Sequence, residues 1–227
     1  MAALLLLLLA GPPAASREPA NDLDQVVRGL ESHYNRLQTL KVQFVQLYRA
    51  APQAPIREEA GILYLKKPNR MRWEYTRPET KLFVSDGKTV YFYVPEDGQV
   101  TRMPAAESAD LRAPLRFLLG RLNLRRAFGR VEWARDFAPF DPGNPVLRLW
   151  PKAETGHPEE RGADSFRELL VEVDQQSRIR RLVIYEGDGA RTEFRLSGEQ
   201  QNPRLDARLF RFSIPPGVEV VDERSER

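Results

Sequence analysis

Two histidines, His33 and His157, are the side chains of this 227-residue sequence best suited to acid–base work near neutral pH, and there is no cysteine to serve as a nucleophile or thiolate ligand. Catalysis by a base or a nucleophile needs such a group held beside a partner. His33 falls in an amphipathic stretch and His157 in a polar one, and both read as surface histidines. No H-E-x-x-H, G-x-S-x-G or C-x-x-C is present. Gly87-Lys88-Thr89 has the look of the tail of a phosphate-binding loop, but the glycine required five positions before Gly87 is Leu82. These residues also lie between two apolar runs, so they read as a hairpin turn. Glu186-Gly187-Asp188-Gly189 lacks the spaced carboxylates of a calcium loop and is a second turn. The expectation is a protein with no catalytic residues, no metal site and no cofactor.

Charge points the same way. Lys and Arg number 35 and Asp and Glu 32, a net +3 in a chain that is 30% charged, which describes a solvated surface with little overall field. A pI near 9.2 and the run Arg121, Arg125, Arg126, Arg130, Arg135 invite a nucleic-acid reading. The first residues argue against it. Leu4 to Leu9 form an unbroken leucine run, followed by Gly11-Pro12-Pro13 and the small residues Ala14 and Ala15. That is a secretory leader cleaved near Ala15, too short to span a bilayer comfortably, with the one irregularity that no Lys or Arg precedes the leucines. No nucleic-acid partner is expected. Basic residues beside an apolar helix, able to touch anionic headgroups or an acidic partner, remain as a minority reading. The absence of cysteine excludes disulfides and an N-terminal lipid anchor, and is compatible with a bacterial periplasm.

The elements that would position any site are mostly strands. Leu23, Val26, Val27, Leu30, Tyr34 and Leu37 recur every three or four residues after Asn21 and Asp22, which predicts an amphipathic helix. The period then becomes two. Strands are predicted at 40–44, 71–75, 82–84, 90–94, 99–103, 131–134, 146–150, 169–173, 179–185, 191–196 and 210–214. About ten short strands at hairpin spacing predict a mainly β (α+β) fold: a single curled antiparallel sheet forming an incomplete barrel. Helices are expected at 108–124 and 203–209, so the lid has about three. The polar stretch 153–165 reads as a mobile surface loop. Residues 16–227 read as one domain without repeats. Tyr64, Trp73, Tyr75, Tyr91, Phe92, Tyr93, Trp133 and Trp150 lie on the strands. Each by itself is ordinary core, while an incomplete barrel under apolar helices is a natural container for an apolar guest.

Three blocks in order, GILYLKKPNRMRW (61–73), VSDGKTVYFY (84–93) and FRFSIPPGVEV (210–220), make the sequence resemble the periplasmic outer-membrane lipoprotein carrier family, LolA. With the leader and first helix they cover nearly the whole mature chain. The resemblance implies an open antiparallel barrel lidded by helices. It also implies acylated lipoproteins as cargo, an inner-membrane lipoprotein-releasing ABC transporter as donor, an acceptor lipoprotein at the outer membrane, and a monomeric carrier in the periplasm. Two positions depart from the family pattern. Lys67 stands where the family has an Arg that holds the lid, offering a compact charge in place of a planar fork. Met71 stands at an aromatic position and can still line a cavity.

The physics of such a carrier is independent of the family. Each CH₂ buried is worth about 0.8 kcal/mol, so a sixteen-carbon chain leaving a membrane forfeits on the order of 11 kcal/mol unless another apolar wall receives it. Release without a nucleotide requires a lid whose open and closed states are nearly balanced. The expected cavity residues are Leu63, Leu65, Met71, Trp73, Val90 and Phe92 on the barrel and Leu115, Leu118 and Leu119 on the lid, with Lys67 controlling the lid. A one-residue slip in any strand would turn its contribution outward. A second class of function is a regulatory or docking protein of the envelope with the same lidded shape, which senses lipid or lipoprotein; an enzyme built on His33 comes last.

Overall fold

The structure, a computed structural model, describes residues 23–105, 118, 120–152 and 166–223. The leader, the loop 153–165, His157 and nearly all of the expected helix 108–124 lie outside them. The described chain opens with helix α1 (Leu23–Asn35), whose buried stripe is Val27, Leu30, His33 and Tyr34. Strands β1 (Thr39–Arg49), β2 (Arg57–Lys66), β3 (Arg70–Arg77), β4 (Lys81–Ser85), β5 (Thr89–Val94) and β6 (Gln99–Pro104) follow. After a four-residue helix α2 (Leu124–Ala127) come β7 (Arg130–Trp133), β8 (Val146–Trp150), β9 (Phe166–Val173), β10 (Ile179–Glu186), β11 (Arg191–Gln201) and β12 (Glu219–Asp222).

All twelve strands join in one open sheet in the order β12-β6-β5-β4-β3-β2-β1-β11-β10-β9-β8-β7. Two antiparallel meanders, β1 to β6 and β7 to β11, therefore meet where the long strands β1 and β11 pair, from Leu40 with Gln201 to Arg49 with Arg191. A sheet this wide must curl. Bulges supply sharp bends: β11 carries an extra residue at Gly198–Glu199 opposite Lys41–Gln43 of β1, and β3 carries one at Thr76 opposite Ala60–Gly61 of β2. Gly61 is required there, because a Cβ would stand 1.9 Å from the Glu74 carbonyl oxygen. Leu40, Val42 and Phe44 from β1, Met71, Trp73 and Tyr75 from β3, and Phe194 and Leu196 from β11 project into one core with the α1 stripe.

Several expectations are corrected. Of the about three lid helices expected, the described residues hold α1 and the short α2, and most of the helix expected at 108–124 lies outside them. The helix expected at 203–209 is absent: residues 203–206 have no regular structure and lead into a 3-10 turn (Ala207–Phe210), capped by Asp206 accepting from the Arg208 amide. The last strand lies at Glu219–Asp222 and runs parallel to β6, so the sheet is not wholly antiparallel. The alternation at 210–214 has another origin: Phe210 is buried, and Phe212 packs at 5.3 Å from Tyr91 and 5.5 Å from Tyr93 on the outer face, without ladder hydrogen bonds. Strand β2 is missing from the predicted strand ranges, although Tyr64 reads as a strand residue and Leu63 and Leu65 as barrel wall, because it opens Arg-Glu-Glu-Ala-Gly, a composition depleted in strands. His33, expected at the surface, is 2% exposed. The turns at Gly87 and Gly189 are hairpin turns as expected, the first closed by Asp86 Oδ1 accepting from the Lys88 and Thr89 amides.

Candidate functional site: the apolar inner face and its lid

Alternation in β2, β3 and β5 sends Leu63, Leu65, Met71, Trp73 and Val90 to the inner face, each nearly or wholly inaccessible to solvent, while Phe92 packs partly buried at the margin. Tyr64, Tyr91 and Tyr93 alternate to the other side. Leu118 is buried against the same cluster, whereas Leu115 and Leu119 lie outside the described residues. At the centre Trp73 meets Phe44 at 4.8 Å and Phe194 at 5.3 Å, and Phe44 meets Tyr75 at 5.0 Å. The Trp73 indole N–H donates to the Met71 sulfur at 2.9 Å, and the Tyr75 hydroxyl to Gln46 Oε1 at 2.8 Å, so the polar atoms inside this aromatic group are satisfied. Phe44 and Phe194 belong at the heart of the site and were absent from the expected set. Both sit in the correct period-two runs, but nothing in one strand reveals that β1 and β11 are neighbours.

The mouth lies beside the C-terminal end of α1. A small pocket open to solvent is lined by Tyr34, Leu37, Gln38, Thr39, Leu40, Leu65, Lys67 and Leu118. Lys67 Nζ donates to the Tyr34 carbonyl oxygen at 2.7 Å, and the Lys67 amide donates to the Gln38 carbonyl. Burial of this ammonium lowers its pKa below the ordinary lysine range. Beneath α1, Glu199 of β11 receives two buried partners: His33 Nε2 lies 2.9 Å from Oε1, and the Tyr34 hydroxyl donates to Oε2 at 3.1 Å. The same hydroxyl accepts from the Ile179 amide at 2.9 Å. Desolvation first, and the Glu199 charge second, push the Tyr34 pKa well up, which keeps the phenol a neutral donor. Glu199 gave no signal in the sequence, standing in a polar strand end. His33 did, since it lies three residues after Leu30 and seven after Val26 on the apolar stripe.

A second segment is clipped to α1. Asn35 and Leu122 exchange two hydrogen bonds, Nδ2 to carbonyl at 2.9 Å and amide to Oδ1 at 2.6 Å. The Leu124 amide donates to Glu31 Oε1 at 2.7 Å, and Arg125 pairs with Asp24. Asn123 caps α2 by accepting from the Arg126 amide. Helix α1 and residues 120–127 therefore cover the inner face together. Chemically the arrangement offers an unbroken apolar wall closed by a few polar ties, and the histidine that could have served a reaction is occupied by Glu199.

Comparison with known proteins gives a consistent result. The chain is 29% identical over 202 residues to an outer-membrane lipoprotein carrier protein of Serratia proteamaculans (strain 568), covering 89% of this chain and 90% of that one. It is 29% identical over 197 residues to the protein of that name from Photorhabdus laumondii subsp. laumondii, covering 87% and 88%. Its fold resembles an uncharacterized conserved protein of Thermus thermophilus, with a TM-score of 0.52 at 13% identity over 88% of this chain and 98% of that one. The family model described as outer membrane lipoprotein carrier protein LolA matches residues 35–213, a span running from the end of α1 through the whole aromatic inner face to the outer-face Phe212. The chain belongs to the LolA family of outer membrane lipoprotein carrier proteins.

Proposed function

We propose that this protein is a periplasmic carrier that receives the acyl chains of lipoproteins against its inner face and moves them from an inner-membrane ABC transporter to the outer membrane. The observation that supports this most is the continuous apolar wall from Leu65 to Phe194, covered by a helix rather than by a second sheet. Residues 1–15 act as the leader, and the remaining chain works as one monomeric domain without catalysis. Leu63, Leu65, Met71, Trp73, Val90, Phe92, Leu115, Leu118 and Leu119 line the acyl site. Without cargo the wall is filled by its own side chains, so an acyl chain enters by displacing lid contacts. The about 0.8 kcal/mol gained per buried CH₂ offsets that displacement. Lys67 holds the lid by one hydrogen bond to Tyr34, a closure that opens without an energy source. The donor transporter and an outer-membrane acceptor complete the cycle.

The test uses Trp73. Of three tryptophans, Trp133 and Trp150 are replaced by Phe, leaving Trp73, which is 0% exposed. A palmitoyl peptide brominated along its chain quenches Trp73 stoichiometrically, and unlabelled palmitoyl peptide reverses it. If the labelled peptide leaves Trp73 fluorescence unchanged, the inner face is ordinary core and a docking protein of the envelope replaces the carrier.

A further inference from the structure

The outer face of the sheet carries its charge unevenly. In β1 to β3 the residues that alternate with the inner-face Leu40, Leu65, Met71 and Trp73 are Lys41, Lys66, Arg70 and Arg72. The register sets them side by side, with Lys41 opposite Tyr64, Tyr64 opposite Arg72, and Lys66 opposite Arg70. Lys41 Nζ stands 5.8 Å from the centre of the Tyr64 ring. The segment leading into the 3-10 turn crosses this same face. Lys66 Nζ holds it at the Leu205 carbonyl, 3.4 Å away, and Arg72 Nη1 at the Leu209 carbonyl, 3.1 Å away. It brings with it three exposed arginines, Arg204, Arg208 and Arg211. Two carboxylates answer these seven cations: Glu74 pairs with Arg72 at 2.6 Å and Asp206 with Arg208 at 3.5 Å. Among the described residues the other five form no ion pair. The excess of five on this one face is larger than the net +3 of the whole chain, so the rest of the molecule holds slightly more acid than base. Like charges gathered on a folded surface repel one another and destabilise it, a cost that an anionic partner removes.

We propose that this face, from Lys41 to Arg211, docks the protein on the anionic headgroups of a lipid bilayer. Two features favour a bilayer over an acidic protein. Mobile headgroups match any spacing of charge, whereas a protein partner must match long, separately placed side chains residue by residue. Just beyond Arg211 the same segment exposes Ile214 at 39%, followed by Pro215 and Pro216, an apolar point beside a basic field as interfacial contacts require. Lys66 adjoins Lys67, which lines the pocket, so the mouth stands at the edge of the contact. The docking goes beyond the carrier reading and does not depend on it.

Flotation with vesicles of phosphatidylglycerol and phosphatidylethanolamine tests the contact. At low salt the native protein floats with them and not with vesicles of phosphatidylcholine alone. Salt at about 1 M, where charges are screened beyond roughly 3 Å, releases it. Each Lys or Arg near an anionic surface multiplies partition about fivefold, so Arg70→Gln with Arg204→Gln and Arg211→Gln lowers it about a hundredfold. Arg121→Gln with Arg126→Gln, which removes exposed arginines of the segment clipped to α1, leaves the partition unchanged. Equal flotation with both kinds of vesicle, flotation with neither, flotation that survives the salt, or equal loss in the two variants would each overturn the docking face. Quenching of Trp73 by the brominated palmitoyl peptide, read on the triple variant in the single-tryptophan background, stays native and shows that the variant is folded. A native protein that floats but shows no quenching loses the carrier reading while the docking face stands.

Discussion

Glu193, on the outer side of β11, is 3% exposed and stands between Arg191 at 2.5 Å and Arg195 at 2.7 Å, with Arg181 nearby. Burial alone would push its carboxyl pKa up. Hydrogen bonds from Arg195 and Arg191 overturn that and hold it below the usual carboxylate range. A carboxylate with a lowered folded-state pKa stabilises the protein above the unfolded-state value and loses that contribution as pH falls through the folded-state one. Chemical denaturation from neutral pH to about pH 3 should therefore show the native chain losing more stability than Glu193→Gln. The sign reverses for Lys67. Its folded-state pKa is lowered, so in the alkaline range the unfolded chain binds more protons and stability rises with pH. Arginine does not titrate there, so the native protein should gain stability relative to Lys67→Arg as pH climbs toward the ordinary lysine value, measured by the same denaturation series.

At the scale of elements, the loop between β7 and β8 is a strap across the outer face. Glu172 of β9, 1% exposed, accepts from the Phe140 amide at 2.7 Å, the Asp141 amide at 2.9 Å and Asn144 Nδ2 at 3.1 Å. Arg181 stacks on Phe137 at 4.6 Å and donates to the Ala138 carbonyl, and Arg195 lies 4.5 Å over Phe140. The strap covers a small second core of Ala134, Val146, Leu170 and Val183. Glu172→Ala should cost about 3 kcal/mol, because two amides and a side-chain amide lose their acceptor in a dry site. Hydrogen exchange should localise the loosening to residues 137–144 while α1 stays protected. Gly61→Ala makes a sharper element-level prediction: the added Cβ collides with backbone, β2 and β3 separate at the bulge, and thermal unfolding falls by an amount corresponding to about 3 kcal/mol. The strand shift from 210–214 to 219–222 belongs to this scale too. Alternating aromatic residues pack equally well on a sheet they cover as within a ladder, and only the backbone partner separates the two cases.

For the molecule as a whole, one sheet supplies both the wall of the site and the outer surfaces on which the 137–144 strap and the segment carrying Phe212 lie. Cargo that binds only the folded chain stabilises it by mass action, about 2.7 kcal/mol at a hundredfold excess over Kd. Palmitoyl peptide at that excess should raise the unfolding midpoint by roughly 5–10 °C, read by near-UV circular dichroism. A Trp73→Glu variant should lose both that shift and much of its intrinsic stability, while Leu65→Ala, at the mouth, should weaken the shift with a smaller cost of about 2–3 kcal/mol.

The class of fold was legible in the sequence because its carriers are local. A period of two in Met71, Trp73 and Tyr75, turn residues at Asp86-Gly87, and a helical stripe from Leu23 to Leu37 each act within one element. The inner-face residues of β2, β3 and β5 were readable for the same reason, once the three blocks in their order tied the strands to a known family. What only the tertiary structure decided is which strands are neighbours. The pairing of β1 with β11 brings Phe44 to Phe194 and places Glu199 beneath His33 and Tyr34, across separations of 150 residues or more in sequence. No periodicity encodes such a meeting. Whether a polar residue in a strand end is solvated or becomes the acceptor for a buried histidine depends on what the chain folds against it, and desolvation is a property of the assembled molecule.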